Sequence, residues 1–433
     1  MEIKTYSYPD GEIQRVQIAR PDSWAQLEFL RPTPTPRALE KFADIYRRYL
    51  VPACPWLFGN MVMFRLPEEV QLPMGAFADR EIAAAALLRK GVTMFGKTPV
   101  FHSAAAKGLW QTLESSDCIR IVRGKLPLTQ IIPVGNLCGY LTEGETAALT
   151  VNASFFIMDK FDCATVFDKI GTPLGLLVKD GVVENPPLFG REALLVRKDG
   201  SVTVEPATVK ELEILGKTYR IGENARLYTR PERSHTPISG GKKLVIVGTK
   251  VVAVQEKGAV PIPASGFVLQ ADCPAKPGDS VAYPGFADIA FGIQVGNSIL
   301  RGGEKTGKFL SRFYNIYHLQ PVPFPPSLYP MDFHKSRAAR IALGADKAGK
   351  PVILWAEGAA KIGHTPGTDS RGATLSDMAQ FCADAGMVNA VNLDGGGSAQ
   401  MLVAGKRALQ LSDRDPKTHA ETERPVPLAL TVK

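Results

Sequence analysis

The chain has 433 residues, of which 45% are hydrophobic, so it can bury a large core and is too long for one small domain. The formal net charge is +8, but basic residues alternate with acids and form no long basic run. This distribution argues against a nucleic-acid partner and suits anionic ligands such as phosphates.

Cysteine and histidine spacing gives no sign of a metal site. The six cysteines form no C-x-x-C pair and the six histidines form no H-E-x-x-H motif. The amino terminus lacks the apolar core of a signal peptide, and no apolar stretch is long enough to span a membrane. From the chain as given we expect a cytoplasmic protein, with export by another route left open.

Residues 1–115 differ in pattern from the rest. A proline-rich segment at 31–36 precedes apolar spacings that predict helices at 37–50, 79–90 and 103–115. We therefore expect a helical amino-terminal extension of unknown role, followed by a main domain over 116–433.

The main domain reads as short strands joined by tight turns. Asp180-Gly181 and Asp199-Gly200 each follow an apolar run and predict hairpins. Residues 205–330 contain further short strands punctuated by glycine and proline, which predict an all-β insertion. The expected fold class is α+β, with a mixed or antiparallel sheet core and flanking helices.

The most distinctive stretch is Asn392-Leu393-Asp394-Gly395-Gly396-Gly397-Ser398. An apolar run at 388–393, typical of a buried strand, delivers an acid into three glycines. Consecutive glycines at a strand end indicate positive φ angles or a close approach to the backbone. Composition alone leaves a plain tight turn as an equal alternative. Upstream, Thr374 and Asp377 predict the capped start of a helix at 374–385 that packs beside this strand.

These seven residues resemble the signature of the phosphodiester glycosidase family. Further segments resemble motifs of that family in the same order. They are Asn152-Ala153-Ser154-Phe155-Phe156, the hairpin at 174–181, the stretch at 262–269, the run Arg340-Ile341-Ala342-Leu343-Gly344 and the closing Arg424-Pro425-Val426.

The resemblance implies a glycosidase whose site gathers residues from these motifs. The implied catalytic residues are Asp394, Glu357 and Arg340. The implied substrate-binding residues are Asn152, Phe156, Asn392, Gly395, Gly396, Gly397, Ser398 and Arg424. The glycine amides would hold phosphate or sugar oxygens, as backbone nests do.

Arg340 lies in an apolar run, so its guanidinium needs an anionic partner. A ligand phosphate is favoured over a carboxylate of the fold. Since a sugar phosphodiester releases a phosphate monoester, which is a good leaving group, Arg340 could neutralise the departing charge with little need for an acid.

Three classes of function stay open. The first is a hydrolase of sugar-phosphate diesters or related exposed amino-sugar glycosides. The second is a non-catalytic glycan- or phosphate-binding module, which the departures from the family pattern at Ala153, Ser154, Gln294 and Ala359 favour. The third is a structural or assembly protein.

No cofactor is evident in the sequence, and the expected partner is a carbohydrate or sugar-phosphate substrate. A divalent cation stays open, because Asp394, Asp413 and Asp415 could bind one, although acids near a loop are more often solvated. The sugar, the aglycone and the oligomeric state are not encoded in a recognisable way.

Overall fold

The computed structural model describes residues 1–33, 147–158, 171–306 without 189, 231 and 232, 336–359, and 363–433 without 416. It also describes shorter pieces between 35 and 141 and between 165 and 169. The helices predicted at 37–50 and 79–90 lie largely outside the described residues.

The described strands, in chain order, are β1 (Glu2–Ser7), β2 (Ile13–Ala19), β3 (Leu27–Leu30), β4 (Val62–Met63), β5 (Val92–Phe95), β6 (Thr98–Phe101), β7 (Arg120–Ile121), β8 (Leu149–Asn152), β9 (Leu177–Lys179), β10 (Val182–Asn185), β11 (Glu192–Arg197), β12 (Val202–Pro206), β13 (Glu211–Ile214), β14 (Lys217–Arg220), β15 (Ala225–Tyr228), β16 (Lys243–Val247), β17 (Lys250–Gln255), β18 (Gly266–Ala271), β19 (Val281–Ala282), β20 (Ile289–Ile293), β21 (Ser298–Arg301), β22 (Glu304–Lys305), β23 (Arg340–Asp346), β24 (Pro351–Ala356), β25 (Met387–Asn392), β26 (Met401–Val403), β27 (Lys406–Arg407) and β28 (Ala429–Val432). The α-helices with described bounds are α1 (Ala104–Ser115) and α2 (Leu375–Asp384). Short 3-10 turns span Trp24–Gln26, Pro284–Phe286 and Gly396–Ser398.

A seven-stranded sheet, in the order β1-β2-β24-β23-β25-β21-β22, carries the strand that precedes the three glycines. Its third strand, β24, reads Pro-Val-Ile-Leu-Trp-Ala and is buried along its whole length. The sheet tolerates this continuous apolar sequence because α2 covers one face and a second sheet covers the other.

Helix α2 begins with the capping box that the sequence predicts. Thr374 Oγ1 accepts a hydrogen bond from Asp377 N, and the Asp377 carboxylate accepts one from Thr374 N at 2.9 Å. Met378 and Cys382 then pack on the seven-stranded sheet. The predicted helix and its position beside β25 are confirmed.

The second core sheet has five strands in the order β27-β26-β8-β28-β3. Val151 and Leu430 from this sheet share one hydrophobic core with Ile341, Trp355 and Val391 from the seven-stranded sheet. Strands β25 and β26 belong to different sheets, so the chain crosses from one to the other through residues 394–400.

The central part of the chain forms three further antiparallel sheets. Strands β9 to β12 and β20 make one of them, and the predicted Asp-Gly hairpin turns connect β9 to β10 and β11 to β12. Strands β13 to β19 pair only among themselves, in the two smaller sheets. From the same segment, β20 and β21 pair with strands outside it. The region at 205–330 is therefore rich in strands where it is described, and its status as an insertion stays a prediction.

The first thirty residues correct the expected helical extension. Strand β2 pairs with β24, with Val16 opposite Ala356, and β3 pairs with β28, with Leu27 opposite Val432. The burial pattern explains the difference, because Val16 and Ile18 alternate along β2 and are 0% and 1% exposed. The helix predicted at 103–115 is present as α1.

The fold class also needs correction. Every ladder between the described strands is antiparallel, and strands far outnumber helices in the described residues. The protein is thus mostly β, and α+β describes it only loosely. Among the described helices, none has the length and apolarity to cross a membrane.

The integration of β2 into the core can be tested with paired substitutions. Ile18 is 1% exposed, so Ile18→Ala should lower the free energy of unfolding by about 2–4 kcal/mol because it leaves a cavity. Ile3, in β1, is 55% exposed, so Ile3→Ala should change it by less than about 0.5 kcal/mol. Urea denaturation measures both, and equal effects would show that β2 is not part of the core.

Candidate active site

The loop at residues 394–400 is held against both core sheets by its own backbone. Asp394 N donates to Ala153 O at 3.0 Å, beside the second sheet, and Gly396 N donates to Ala339 O at 2.8 Å, beside the first. The residues from Asp394 to Gly397 keep partial exposure, whereas their neighbours on both sides are buried. The loop therefore presents its acid at a surface that is fixed from two directions.

The Asn152 side chain fastens both ends of this loop. Its Nδ2 donates to Asp394 O at 2.9 Å, and its Oδ1 accepts from Gln400 N at 2.9 Å. Asn152 is 1% exposed and ends strand β8. Asn152 thus contacts the backbone carbonyl of Asp394, and its predicted contact with substrate is untested.

Each of the three glycines has a separate structural reason. A Cβ at Gly395 would lie 2.9 Å from Ala339 O, closer than side chains normally approach. Gly396 has φ +62°, in the left-handed region. A Cβ at Gly397 would overlap the side chains of Arg424 and Asp413.

The amides of the glycine loop are engaged within the protein. Gly395 N donates to Asp394 Oδ1 at 2.8 Å, Gly396 N to Ala339 O, and Ser398 N to Gly395 O at 3.3 Å. These three amides bind protein oxygens in this structure, and the predicted contact of the glycines with substrate is untested.

Arg424 forms an ion pair with a carboxylate of the fold. Its Nη2 lies 3.0 Å from Asp413 Oδ2, and its Nε donates to the same oxygen at 3.1 Å. The third contact, from Arg424 Nη1 to Ser398 Oγ, is 3.4 Å long. Arg424 thus supports the glycine loop from beneath, and its predicted contact with substrate is untested.

Arg340 lies near the strand end that leads to Asp394. The last pair of the β23–β25 ladder is Ala342 with Asn392, and Arg340 and Asp394 are each two residues beyond it. Leu393 N continues the ladder by donating to Ile341 O at 2.8 Å. Arg340 and Asp394 therefore lie at the same end of this antiparallel pair.

The guanidinium of Arg340 extends towards the start of α2. Arg340 is 5% exposed, and its Nε and Nη2 donate to Ala373 O at 3.3 Å and Ser336 O at 3.1 Å. It also passes beside the glycine loop, since a Cβ at Gly395 would lie 3.6 Å from Arg340 Cδ.

Asn392, the last residue of β25, is a buried amide. It is 0% exposed, and neither Oδ1 nor Nδ2 has a hydrogen-bond partner in the part of the chain that the structure describes. Buried amides without partners are costly, so such a group indicates a water or a ligand nearby.

Glu357 occupies a different environment from the one expected of a proton donor. Its Oε2 lies 2.9 Å from Arg15 Nη1 and accepts a short hydrogen bond from Ser370 Oγ, and its Oε1 accepts from Gln410 N at 2.6 Å. The residue is 1% exposed. Arg15, Ser370 and Gln410 all donate to this carboxylate, so Glu357 joins three distant segments, and its predicted catalytic role is untested.

Two further positions can now be placed. Phe156 follows Asn152 by four residues in the sequence. It is 8% exposed and forms an isolated β-bridge with Pro173. Gln294 is buried, with its Oε1 accepting from Leu176 N and Leu188 N, so it joins chain segments rather than lining the loop.

In the described ranges, no three histidine, cysteine or acidic side chains come together in a way that could hold a metal ion.

Sequence analysis missed Arg15, Arg337, Arg371 and Ser370. Arg15 and Glu357 are separated by more than 300 residues, so only the fold brings them together. The one available signal was Ser370-Arg371-Gly372, which directly precedes the predicted start of α2.

The glycine loop and the strands of the carboxyl-terminal third of the chain match a known family. Residues 287–433 match the model of the phosphodiester glycosidase family, and this range contains β20 to β28, α2 and the whole glycine loop. The resemblance drawn from the sequence motifs is confirmed for this part of the chain.

Curated relatives match over a shorter range. The human N-acetylglucosamine-1-phosphodiester alpha-N-acetylglucosaminidase is 41% identical over 76 residues, which is 18% of this chain and 13% of that enzyme. The mouse enzyme of the same name is 40% identical over 76 residues, again 13% of its length. The match therefore spans only a small part of these relatives.

Several solved structures are similar over longer ranges. A hypothetical protein from Synechocystis is 20% identical, with a TM-score of 0.38 over 69% of this chain and 54% of that one. The zebrafish N-acetylglucosamine-1-phosphodiester alpha-N-acetylglucosaminidase catalytic domain, auto-inhibited by its pro-peptide, is 16% identical, with a TM-score of 0.34 over 68% and 67%. A putative exported protein from Burkholderia pseudomallei is 16% identical, with a TM-score of 0.39 over 100% and 96%.

The Glu357 contacts predict a stability role. Glu357→Gln should lower the free energy of unfolding by about 2–3 kcal/mol, less than for a fully buried pair because Arg15 is 30% exposed. As a control, Glu205→Gln removes a pair with Arg197 whose side chains are 43% and 28% exposed, and should cost less than about 1 kcal/mol. A Glu357→Gln protein of native stability would argue against the anchoring role.

Proposed function

We propose that this chain is a glycoside hydrolase that cleaves the glycosidic bond of sugar-phosphate diesters or of related exposed amino-sugar glycosides. The observation that carries the proposal is the position of Asp394, held by Asn152 at the end of the strand pair that contains Arg340, within the region that matches the phosphodiester glycosidase family. The names of the curated relatives support the same substrate class.

Asp394 is the proposed catalytic carboxylate. It acts either as the base that takes a proton from water or as the nucleophile that attacks the anomeric carbon. In both routes the bond from that carbon to the phosphate oxygen breaks, and the phosphate monoester leaves with the bonding electrons. The short turn that fixes Asp394 limits its motion and so favours an aligned attack.

Arg340 is the proposed partner of the leaving group. Its side chain passes beside Gly395 on the way to the start of α2, so a sugar bound at Asp394 can direct its phosphate towards Arg340. Positive charge at this position stabilises the negative charge that grows on the departing oxygen. We assign Glu357 a supporting role, because three protein groups already donate to its carboxylate.

A non-catalytic glycan- or phosphate-binding module is the second candidate. The observation that favours it is the internal use of the loop amides, which leaves fewer donors for a transition state. Release of free sugar from sugar-1-phosphate diesters by the purified chain separates the two, because a binding module releases none.

Asp394→Asn tests the catalytic assignment. The amide oxygen can still accept from Gly395 N, so folding should stay nearly intact, whereas kcat should fall by about 10²–10⁴ because an amide is neither base nor nucleophile. Steady-state kinetics and thermal melting measure the two effects. Unchanged kcat would exclude the catalytic role and favour the plain-turn interpretation.

Arg340→Lys tests the leaving-group assignment. Lysine keeps the charge but loses the planar fork, so kcat/KM should fall more for a phosphodiester than for a glycoside with a neutral leaving group. Arg197→Lys, on another sheet beside Glu205, is the control and should affect neither substrate. Equal losses on both substrates together with a lower melting temperature would show that Arg340 is only structural.

A further inference from the structure

Three arginines surround the turn that leads into α2. Arg337 Nη1 donates to Gly372 O at 3.1 Å, and Arg340 Nε donates to Ala373 O at 3.3 Å. Arg371 directly precedes the turn in sequence. These three residues are called the arginine cluster below; the side chains of Arg337 and Arg340 bind consecutive carbonyls of one short segment, and Arg371 belongs to that segment.

The arginine cluster shares a carboxylate that is already engaged. Asp377 Oδ2 accepts from Arg337 Nη1 at 3.0 Å and from Thr374 N and Oγ1 at 2.9 Å each. Its Oδ1 lies 3.7 Å from Arg371 Nη2, which is too long for a hydrogen bond. For Arg337 and Arg371, Asp377 is the only ion-pair partner among the described residues.

The arginine cluster lies at a helix amino terminus, where positive charge is unfavourable unless an anion is bound. The amino-terminal end of a helix carries partial positive charge, so cations near it are destabilising and anions are stabilising. Here three guanidinium groups lie at the start of the ten-residue helix α2. A bound anion would reverse this repulsion.

Arg371 shows the signs of a fixed donor that lacks an acceptor. Its guanidinium carbon lies 3.1 Å from the centre of the Tyr8 ring, which holds its plane. In the described part of the chain, its buried Nε has no hydrogen-bond partner. Burial of a charged donor without an acceptor is costly, and an oxyanion is the acceptor that suits a guanidinium best.

The arginine cluster is continuous with the candidate active site. Arg340 lies at the same end of the β23–β25 pair as Asp394, and the unpartnered amide of Asn392 is two residues before Asp394. Side-chain exposure increases with each residue of the cluster away from Asp394. Arg340 is buried, Arg371 is 15% exposed and Arg337 is 39% exposed. The cluster thus extends from the buried side of the site to the surface.

We infer that the arginine cluster is an anion subsite for a phosphate group, entered from the Arg337 side and ending beside Asp394. Arg337 and Arg371 are specificity residues that select a negatively charged group on the aglycone side of the bond. The assignment of this phosphate to the leaving group rests on the proposed function, whereas the anion subsite itself rests only on the contacts above.

Inorganic phosphate is the direct probe of the subsite. Calorimetry should show millimolar or tighter binding to the full chain, weakened about tenfold or more in Arg371→Gln and Arg337→Gln. Arg31→Gln is the matched control, because Arg31 is 45% exposed and pairs with Glu184 at 3.2 Å, and it should bind phosphate like the wild type. Thermal melting verifies that each variant is folded.

Asp377→Asn should change the affinity for phosphate in the opposite direction. It removes the negative charge at the cluster and keeps a side-chain oxygen for the helix cap, so phosphate should bind more tightly, by several-fold. Absence of phosphate binding by the wild type would overturn the subsite. Equal phosphate affinity in the wild type and in folded Arg371→Gln and Arg337→Gln proteins would overturn it as well.

Kinetics separate the subsite from the proposed function. With sugar phosphodiesters, Arg371→Gln should raise KM more than it lowers kcat, and a glycoside with a neutral leaving group should be unaffected. Phosphate binding that depends on the arginines, together with unchanged phosphodiester kinetics, would overturn only the leaving-group assignment. A wild-type chain that binds phosphate but releases no sugar would refute the proposed hydrolase and support the subsite.

Discussion

The hydrogen bonds of Asn152 are the interaction on which the arrangement of the site depends. One buried amide group holds the backbone at Asp394 and at Gln400, the two ends of the loop that passes between the core sheets. It adds to the backbone bonds that already tie the loop to both sheets. Because donor and acceptor of one planar group are both satisfied, the spacing between the loop ends is fixed by covalent geometry. The acid is thereby held at the boundary between two sheets that share one hydrophobic core.

Charge is arranged around this loop in two separate ways. Arg424 with Asp413, and Arg15 with Glu357, are pairs in which a carboxylate of the fold meets a guanidinium, and they hold segments together. The arginines near α2 differ, because two of them share a single carboxylate that also caps the helix. The two ion pairs therefore stabilise the fold, whereas the surplus positive charge of the arginine cluster lies where an anionic ligand would approach.

The sequence predicted those features whose determinants are local. The capping box at Thr374 and the Asp-Gly hairpin turns require only a few neighbouring residues, and all were confirmed. The glycine loop was also identified from local residues, but the reasons for its glycines were not. The overlap at Gly397 depends on Arg424 and Asp413, which lie later in the chain and are brought beneath it only by the fold.

Long-range pairing explains the features that the sequence did not predict. The alternation in β2 is a strand pattern, but its significance depends on a partner strand more than 330 residues away, which no local window contains. Glu357 was similarly selected as an acid at a strand end, although the groups that occupy its carboxylate come from residues 15, 370 and 410. The presence of an acid at a strand end can be predicted from sequence, but the donors around it cannot.

The pairing of β2 with β24 has a consequence for synthesis in the cell. Val16 and Ala356 are 340 positions apart, so at about 5–20 residues per second the ribosome supplies the partner about 20–70 seconds after β2. During that interval Val16 and Ile18 have no sheet to cover them, and only the β1–β2 hairpin can form. Contact order this high slows folding and exposes apolar strand edges to aggregation. We therefore expect efficient folding of newly made chains to depend on chaperones that shield this amino-terminal hairpin until the carboxyl-terminal strands emerge.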